Sequence, residues 1–128
     1  MKVHEVKSIK TNNFNDDVTK IMDLWQEVMI NYKDYTGNWY GIYHEFDSDF
    51  KGDYTLSICN DNISSSEKEI VIDDDKKYKI FEVDSDNDIS TVWQKIWDLE
   101  EKGLLKRNYV IDYEKYSNGE ITIHIGLK

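Results

Sequence analysis

The segment 106–116 combines carboxylates and aromatic rings at a spacing that could hold an organic cation. Asp112 and Glu114 lie two positions apart, so a β-strand would place both on one face, with Tyr116 beside them. A carboxylate supplies the counter-charge for a cation, and the rings contact its apolar body. We predict that Glu114 is the counter-charge of a ligand, and that Asp112 supports it, caps a turn or contacts the ligand. The alternative for Glu114 is an ion pair with a lysine or arginine at the strand surface.

Length and charge limit the class of protein. The 128 residues fit one domain spanning 1–128, and the net charge of −10 argues against nucleic-acid binding, which requires a basic face. An acidic field favours cationic ligands or basic partners. The single cysteine excludes an internal disulfide, and no apolar run is long enough to cross a membrane, so we expect a cytoplasmic protein. The histidines and the cysteine form no metal signature, and we predict no metal and no cofactor.

Hydrophobic periodicity predicts two helices among several strands. Apolar residues from Val18 to Tyr32 recur at helical spacing after a predicted N-cap at Asn15, and a second helix is expected to begin within 86–88 and to stop at Gly103. The predicted strands are 2–9, 39–46, 54–59, 69–72, 78–83, 108–116 and 120–127, with Asn118-Gly119 as a hairpin turn between the last two.

The element order repeats: strand, helix and two strands occur twice, with an offset of about seventy residues. We therefore predict an α+β fold of duplicated βαββ modules related by a pseudo-twofold axis, with repeat one about 1–68 and repeat two about 69–128. The expected architecture is an antiparallel sheet with two helices on one side and a ligand groove on the other.

The alternation of side chains suggests which residues line that groove. If Tyr43 is paired with Tyr113, the side without helices receives the carboxylates of the 106–116 segment, together with residues of the strand at 39–46. Ordinary packing is the alternative for Tyr116, Phe46 and Trp39, and solvent exposure is the alternative for His44. The candidate ligand-binding residues are Glu114, Tyr116, Asp112, His44, Phe46, Trp39 and Tyr40.

The segment 107–116 resembles the pattern Arg-x-Tyr-x-x-Asp-Phe-Glu-x-Tyr of the GyrI-like effector-binding family, with Tyr113 where phenylalanine is usual. Weaker similarities occur at 39–43, 52–54 and 93–97. This family is the small-molecule-binding domain of bacterial multidrug-sensing transcription activators and also occurs alone. The resemblance implies repeated βαββ modules and a groove at their junction, in which the acid matching Glu114 pairs with lipophilic cations.

The predicted function is that of a standalone protein that binds a cationic aromatic drug or similar small molecule. The activators carry a DNA-binding segment for which 128 residues leave no room, so regulation would require a separate regulator as partner. One alternative is a hydrolase that opens strained electrophilic rings, as some relatives do, in which Glu114 acts as general base or positions water and Tyr116 or His44 is the proton donor. Another is a gyrase-inhibitor-like interaction with a protein partner.

Overall fold

The structure, a computed structural model, describes residues 1–12, 19–48, 52–63, 68–73, 77–85 and 88–128. Seven strands and two helices make up an α+β fold. In chain order they are β1 (Lys2–Asn12), α1 (Thr19–Asn31), β2 (Trp39–His44), β3 (Asp53–Asn60), β4 (Glu69–Val71), β5 (Tyr78–Val83), α2 (Ile89–Glu101), β6 (Ile111–Ser117) and β7 (Glu120–Gly126).

All seven strands form one curled antiparallel sheet in the order β4-β1-β3-β2-β6-β7-β5. The strands β2 and β6 meet near the centre, where Gly41 lies opposite Glu114 and Tyr43 lies opposite Asp112. Directly opposed residues share a face of an antiparallel sheet. The register between these two strands therefore decides which side of the sheet receives the carboxylates.

Both helices cover the same side of the sheet. Leu24 and Val28 of α1 pack on β3, where every second residue is apolar and faces this helix. Trp93 and Ile96 of α2 pack in the same way on the isoleucine face of β7. Tyr43 contacts both of these clusters and so joins them. Among the described residues, neither helix is long and apolar enough to span a membrane.

The opposite side of the sheet is a third apolar cluster, not the predicted groove. Its members are at most 7% exposed, and Met1, Tyr78 and Ile111 pack against them. The buried members are Val3, Tyr40, Ile42, Cys59, Ile70, Ile72 and Tyr113.

The predicted pairing of Tyr43 with Tyr113 is wrong by one residue. Tyr113 lies opposite Ile42 and stacks on His124, with ring centroids 4.3 Å apart, so it faces away from the helices. Asp112 and Glu114 consequently face the helices. A one-residue slip moves every side chain to the other face, and β6 gives no warning of it because its central residues 112–114 are buried on both faces.

Most predicted elements are confirmed, with shifted ends. The strand predicted at 78–83 is β5 without change, and Asn118 and Gly119 both have positive φ, as their turn requires. The strand β2 stops at His44 and β6 starts only at Ile111 because Glu45 and Tyr109 take positive φ values of 54° and 55°. The predicted N-cap at Asn15 lies outside the described residues.

Candidate functional site

Glu114 lies at the centre of the sheet on the helical side and is 2% exposed. Its carboxylate accepts three hydrogen bonds, all from neutral donors. The Oε2 atom accepts from Tyr43 OH at 2.9 Å and from Trp93 Nε1 at 2.7 Å, and Oε1 accepts from Tyr116 OH at 2.7 Å. Among the described residues no lysine, arginine or histidine forms an ion pair with it. The alternative for Glu114, an ion pair with a lysine or arginine at the strand surface, is therefore not present in this part of the chain.

The neighbouring strand makes room for this carboxylate. A Cβ atom added to Gly41, which lies opposite Glu114, would be only 3.2 Å from Oε1 and 3.1 Å from Cζ2 of Trp25. Trp25 comes from α1 and meets the ring of Tyr116 edge-on, with centroids 5.0 Å apart. Rings from both helices and from β2 and β6 therefore surround one carboxylate.

The electrostatics of the site follow from burial. Burial raises the pKa of Glu114, and the hydrogen bonds from Trp93, Tyr116 and Tyr43 oppose that rise. Burial also raises the pKa of Tyr43 well above its ordinary value, and the adjacent Glu114 carboxylate adds to that rise. Tyr43 is therefore a neutral donor throughout the physiological range. The site can hold a negative charge, but none of the described residues brings a positive charge to it.

Asp112, two residues earlier, has different surroundings. Arg107 donates to Asp112 Oδ2 at 2.6 Å and to Glu100 at 2.7 Å, and the Gly126 amide donates to Asp112 Oδ1 at 2.7 Å. Burial raises the pKa of Asp112, and the Arg107 guanidinium and the Gly126 amide oppose that rise. The attraction of the two carboxylates outweighs burial at Arg107 and raises its pKa. Asp112 therefore links β6 to Gly126 at the end of β7, and its charge is paired with that of Arg107.

The predicted site residues divide between the two sides of the sheet. Tyr116 lies beside Glu114 as predicted, and Trp39 shares that side because it lies opposite Tyr116. Phe46 is also on the helical side, against Tyr109 and Tyr54, because the chain turns after β2.

His44 and Tyr40 point to the other side, away from Glu114, which contradicts their prediction as walls of the same groove. The His44 ring is hydrogen-bonded to Ser57 Oγ at 2.8 Å, and burial lowers its pKa. The Tyr40 hydroxyl donates to Asp61 at 3.3 Å, and burial raises its pKa to about 12. The offset of about seventy residues makes His44 equivalent to Glu114 in the first repeat, but the two residues occupy opposite faces.

Sequence reasoning missed the closest partners of Glu114. Neither Tyr43 nor Trp93 is among the predicted site residues, and each donates a hydrogen bond to the carboxylate. The available signal was Gly41, a glycine within an aromatic strand, which often marks a close approach by another group. Trp93 and Trp97 are four residues apart and so share one face of the helix. This spacing indicates packing against the sheet and gives no sign that Trp93 also donates a hydrogen bond.

An open depression of about 560 Å³ lies on the outer surface of α2 and shares no residue with the surroundings of Glu114. It is lined by Ser90, Thr91, Gln94, Lys95 and Asp98.

The fold resembles that of an integron cassette protein from the mobile metagenome of Vibrio cholerae, known from its crystal structure. The two share 24% of their residues over 99% of this chain and 90% of the other, with a TM-score of 0.81. At this identity the likeness establishes a common fold, and function has to be argued from the site. No family model and no curated protein matches the sequence.

Proposed function

We propose that this protein binds a flat, aromatic organic cation whose charge pairs with Glu114 between the two helices. The observation that carries the proposal is the absence, among the described residues, of any cation beside this buried carboxylate. Removing a carboxylate from water costs several kcal/mol unless an opposite charge compensates. Asp112 has that compensation from Arg107, and Glu114 has only neutral donors. A bound cation would supply it.

The surroundings of Glu114 favour a ligand with an aromatic body. Trp93, Tyr43 and Tyr116 present rings to the same small region. Cation–π contact adds roughly 0.5–2 kcal/mol, and burial of the rest of the ligand adds about 25 cal/mol per Å² of apolar surface. A small inorganic cation has no apolar surface to bury and would gain nothing from that second contribution. The net charge of −10 would also concentrate cations near the protein.

The family assignment and the duplication belong to the same proposal. The strand order β1-β3-β2 is followed by β6-β7-β5, so each half has the same arrangement counted from its outer edge, and a helix follows the first of the three strands in each half. This order supports two βαββ modules related by a pseudo-twofold axis. It also supports membership of the GyrI-like effector-binding family. In this arrangement Glu114 lies on the strand of the second module that meets the first.

The test compares a cation with a neutral molecule of the same shape. We expect 1-methylquinolinium to bind the wild-type protein and to quench its tryptophan fluorescence, and 1-methylnaphthalene to bind more weakly. Glu114→Gln should weaken binding of the cation by about 1–3 kcal/mol, the usual worth of a hydrogen-bonded charge, and should leave the neutral compound unaffected.

The matched control is Glu120→Gln, because Glu120 is exposed and its substitution changes the net charge equally. This variant should bind the cation as the wild type does. Equal affinities of the wild type and Glu114→Gln for the cation would show that Glu114 is not the counter-charge.

The hydrolase alternative uses the same carboxylate differently. The raised pKa of Glu114 and the Tyr116 hydroxyl 2.7 Å away favour proton exchange with a substrate. His44 cannot serve as the proton donor there because it lies on the opposite side of the sheet. Turnover of an electrophilic cyclopropane that is lost in Glu114→Gln would favour this alternative, and binding without turnover would favour the binding protein.

A further inference from the structure

We propose, building on the proposed cation site, that the Trp25 indole gates this site. In the unliganded protein the indole fills the place beside Glu114 that the ring system of the ligand takes, and it moves out when the ligand enters. Glu114 is 2% exposed, so a ligand can reach it only if a neighbouring group is displaced. The question is which neighbour can move at least cost.

The hydrogen bonds of Glu114 show which side of the carboxylate is open. Tyr43 and Trp93 both donate to Oε2, which satisfies that oxygen, and within the described part of the chain Tyr116 alone donates to Oε1. A carboxylate has about four acceptor positions, so the remaining one belongs to Oε1. On that side Gly41 contributes no side chain, and the space that its Cβ would occupy lies within 3.2 Å of both Oε1 and Trp25 Cζ2. The edge of the indole therefore lies on the same side as Oε1, next to the space above Gly41.

The contact that Trp25 makes is weaker than the one a cation would make. The edge of an aromatic ring carries partial positive charge, so the indole is compatible with a carboxylate but offers it neither a full charge nor a hydrogen bond. Among the described residues, Trp25 meets the site through ring contacts alone, with Tyr116 and at Gly41. Trp93, by contrast, donates a hydrogen bond to Glu114 and lies beside the Arg107 guanidinium at 5.8 Å.

Exposure separates the two tryptophans in the same way. Trp93 is 8% exposed, and Trp25 is half-buried, with neighbours on α1 such as Met22 and Met29 exposed to solvent. Rotation of Trp25 towards solvent would open a slot as wide as an indole while leaving the three hydrogen bonds of Glu114 in place. The geometry therefore selects flat bicyclic cations over bulky tetrahedral ones.

The first experiment follows the tryptophans by ¹⁹F NMR in protein labelled with 5-fluorotryptophan, with Trp25→Phe to assign the Trp25 resonance. On saturation with 1-methylquinolinium, we expect the Trp25 resonance to move towards its shift in the urea-unfolded protein. The Trp97 resonance should move much less. A Trp25 resonance that stays at its unliganded shift while the cation is bound would overturn the gate.

The second experiment removes the gate. Trp25→Ala should bind 1-methylquinolinium about tenfold more tightly and with a faster association rate, because the closed state no longer competes with the ligand. Weaker binding would make Trp25 a wall of the site, and unchanged binding would make it a bystander; either result overturns the gate but not the cation site. Absence of cation binding in both the wild type and this variant would overturn the cation site itself, and the gate with it.

The Phe variant protects the test against misfolding. If urea unfolding shows that Trp25→Ala is not folded, Trp25→Phe is compared with the wild type instead. The smaller ring should give a gain in affinity in the same direction but of lesser size. A loss of affinity in this folded variant would count against the gate.

Discussion

Asp112 and Glu114 lie two residues apart on β6, face the same side of the sheet and are both buried, yet they differ in what compensates their charge. Asp112 contacts a buried guanidinium, and Glu114 contacts two hydroxyls and an indole N–H. A paired buried charge binds parts of the fold together, and loss of one partner leaves the other uncompensated. An unpaired buried charge lowers stability, and such charges are concentrated at functional sites. The comparison separates a structural carboxylate from a candidate binding carboxylate on one strand.

The hydrogen bonds show the same difference. Both oxygens of Asp112 accept from groups that can only donate, Arg107 and the Gly126 amide. Glu114 faces one such group, Trp93, and two tyrosine hydroxyls that can either donate or accept. The surroundings of Asp112 thus require an anion, and those of Glu114 tolerate a proton on the carboxylate.

The largest expected effect comes from neutralising the paired carboxylate. Asp112→Asn should lower the free energy of unfolding by about 3–5 kcal/mol, because it breaks a buried ion pair and places an amide NH₂ against fixed donors. Urea unfolding at neutral pH measures this, with Asp84→Asn as the exposed control. A loss below about 1 kcal/mol would remove the distinction between the two carboxylates.

Neutralising Glu114 should change the free energy of unfolding in the opposite direction. Glu114→Gln should raise the free energy of unfolding at neutral pH by about 1–2 kcal/mol, because it removes an uncompensated buried charge while Tyr116 can turn to accept from the new amide. Paired urea titrations of the wild type and the variant measure the difference. A clear destabilisation instead would mean that the negative charge itself contributes to the fold.

The pH dependence of stability sharpens the comparison further. The pKa of Glu114 is raised in the folded state, so folded protein binds more protons than unfolded protein between the unfolded and folded pKa values. This contribution to stability is complete below the unfolded pKa and is lost as the pH rises through the folded pKa. Glu114→Gln should flatten the curve of stability against pH in that interval. An identical curve in both proteins would contradict the assignment.

The smallest expected effect concerns a single hydrogen bond. Tyr116→Phe removes the hydroxyl that donates to Glu114 Oε1 and should cost about 1 kcal/mol of stability. It should also raise the pKa of Glu114 further, because the hydrogen bond favours the charged form. An NMR titration of the Glu114 side chain measures the second effect. A pKa that falls would show that water replaces the lost hydroxyl.

Sequence reasoning could predict the elements but not the side of the sheet on which the site lies. Helical and strand periodicity predicted both helices and all seven strands, because a helix or strand that buries one face repeats its apolar residues with a fixed period. In β6 buried and exposed residues do not alternate, because Asp112, Tyr113 and Glu114 are all buried. The register there depends on the positive φ of Tyr109 and on the pairing of Tyr113 with Ile42, and no local pattern specifies either.

Prediction of the site was partial for a related reason. The spacing of Glu114 and Tyr116 on one strand revealed their contact, because residues two apart share a face. Tyr43 and Trp93 are 71 and 21 residues distant in sequence, and only the completed fold brings them to the carboxylate. Arg107 was visible as part of a motif, but its pairing with Asp112 required a turn that the predicted straight strand lacks.

An NMR titration of the Glu114 carboxyl carbon, with and without saturating 1-methylquinolinium, tests the central claim most directly. We expect the midpoint of the Glu114 titration to lie above the ordinary glutamate value in the free protein. In the complex it should be clearly lower, because the cation stabilises the ionised form. A midpoint at the ordinary value in the free protein, or the same midpoint with and without the cation, would contradict the claim.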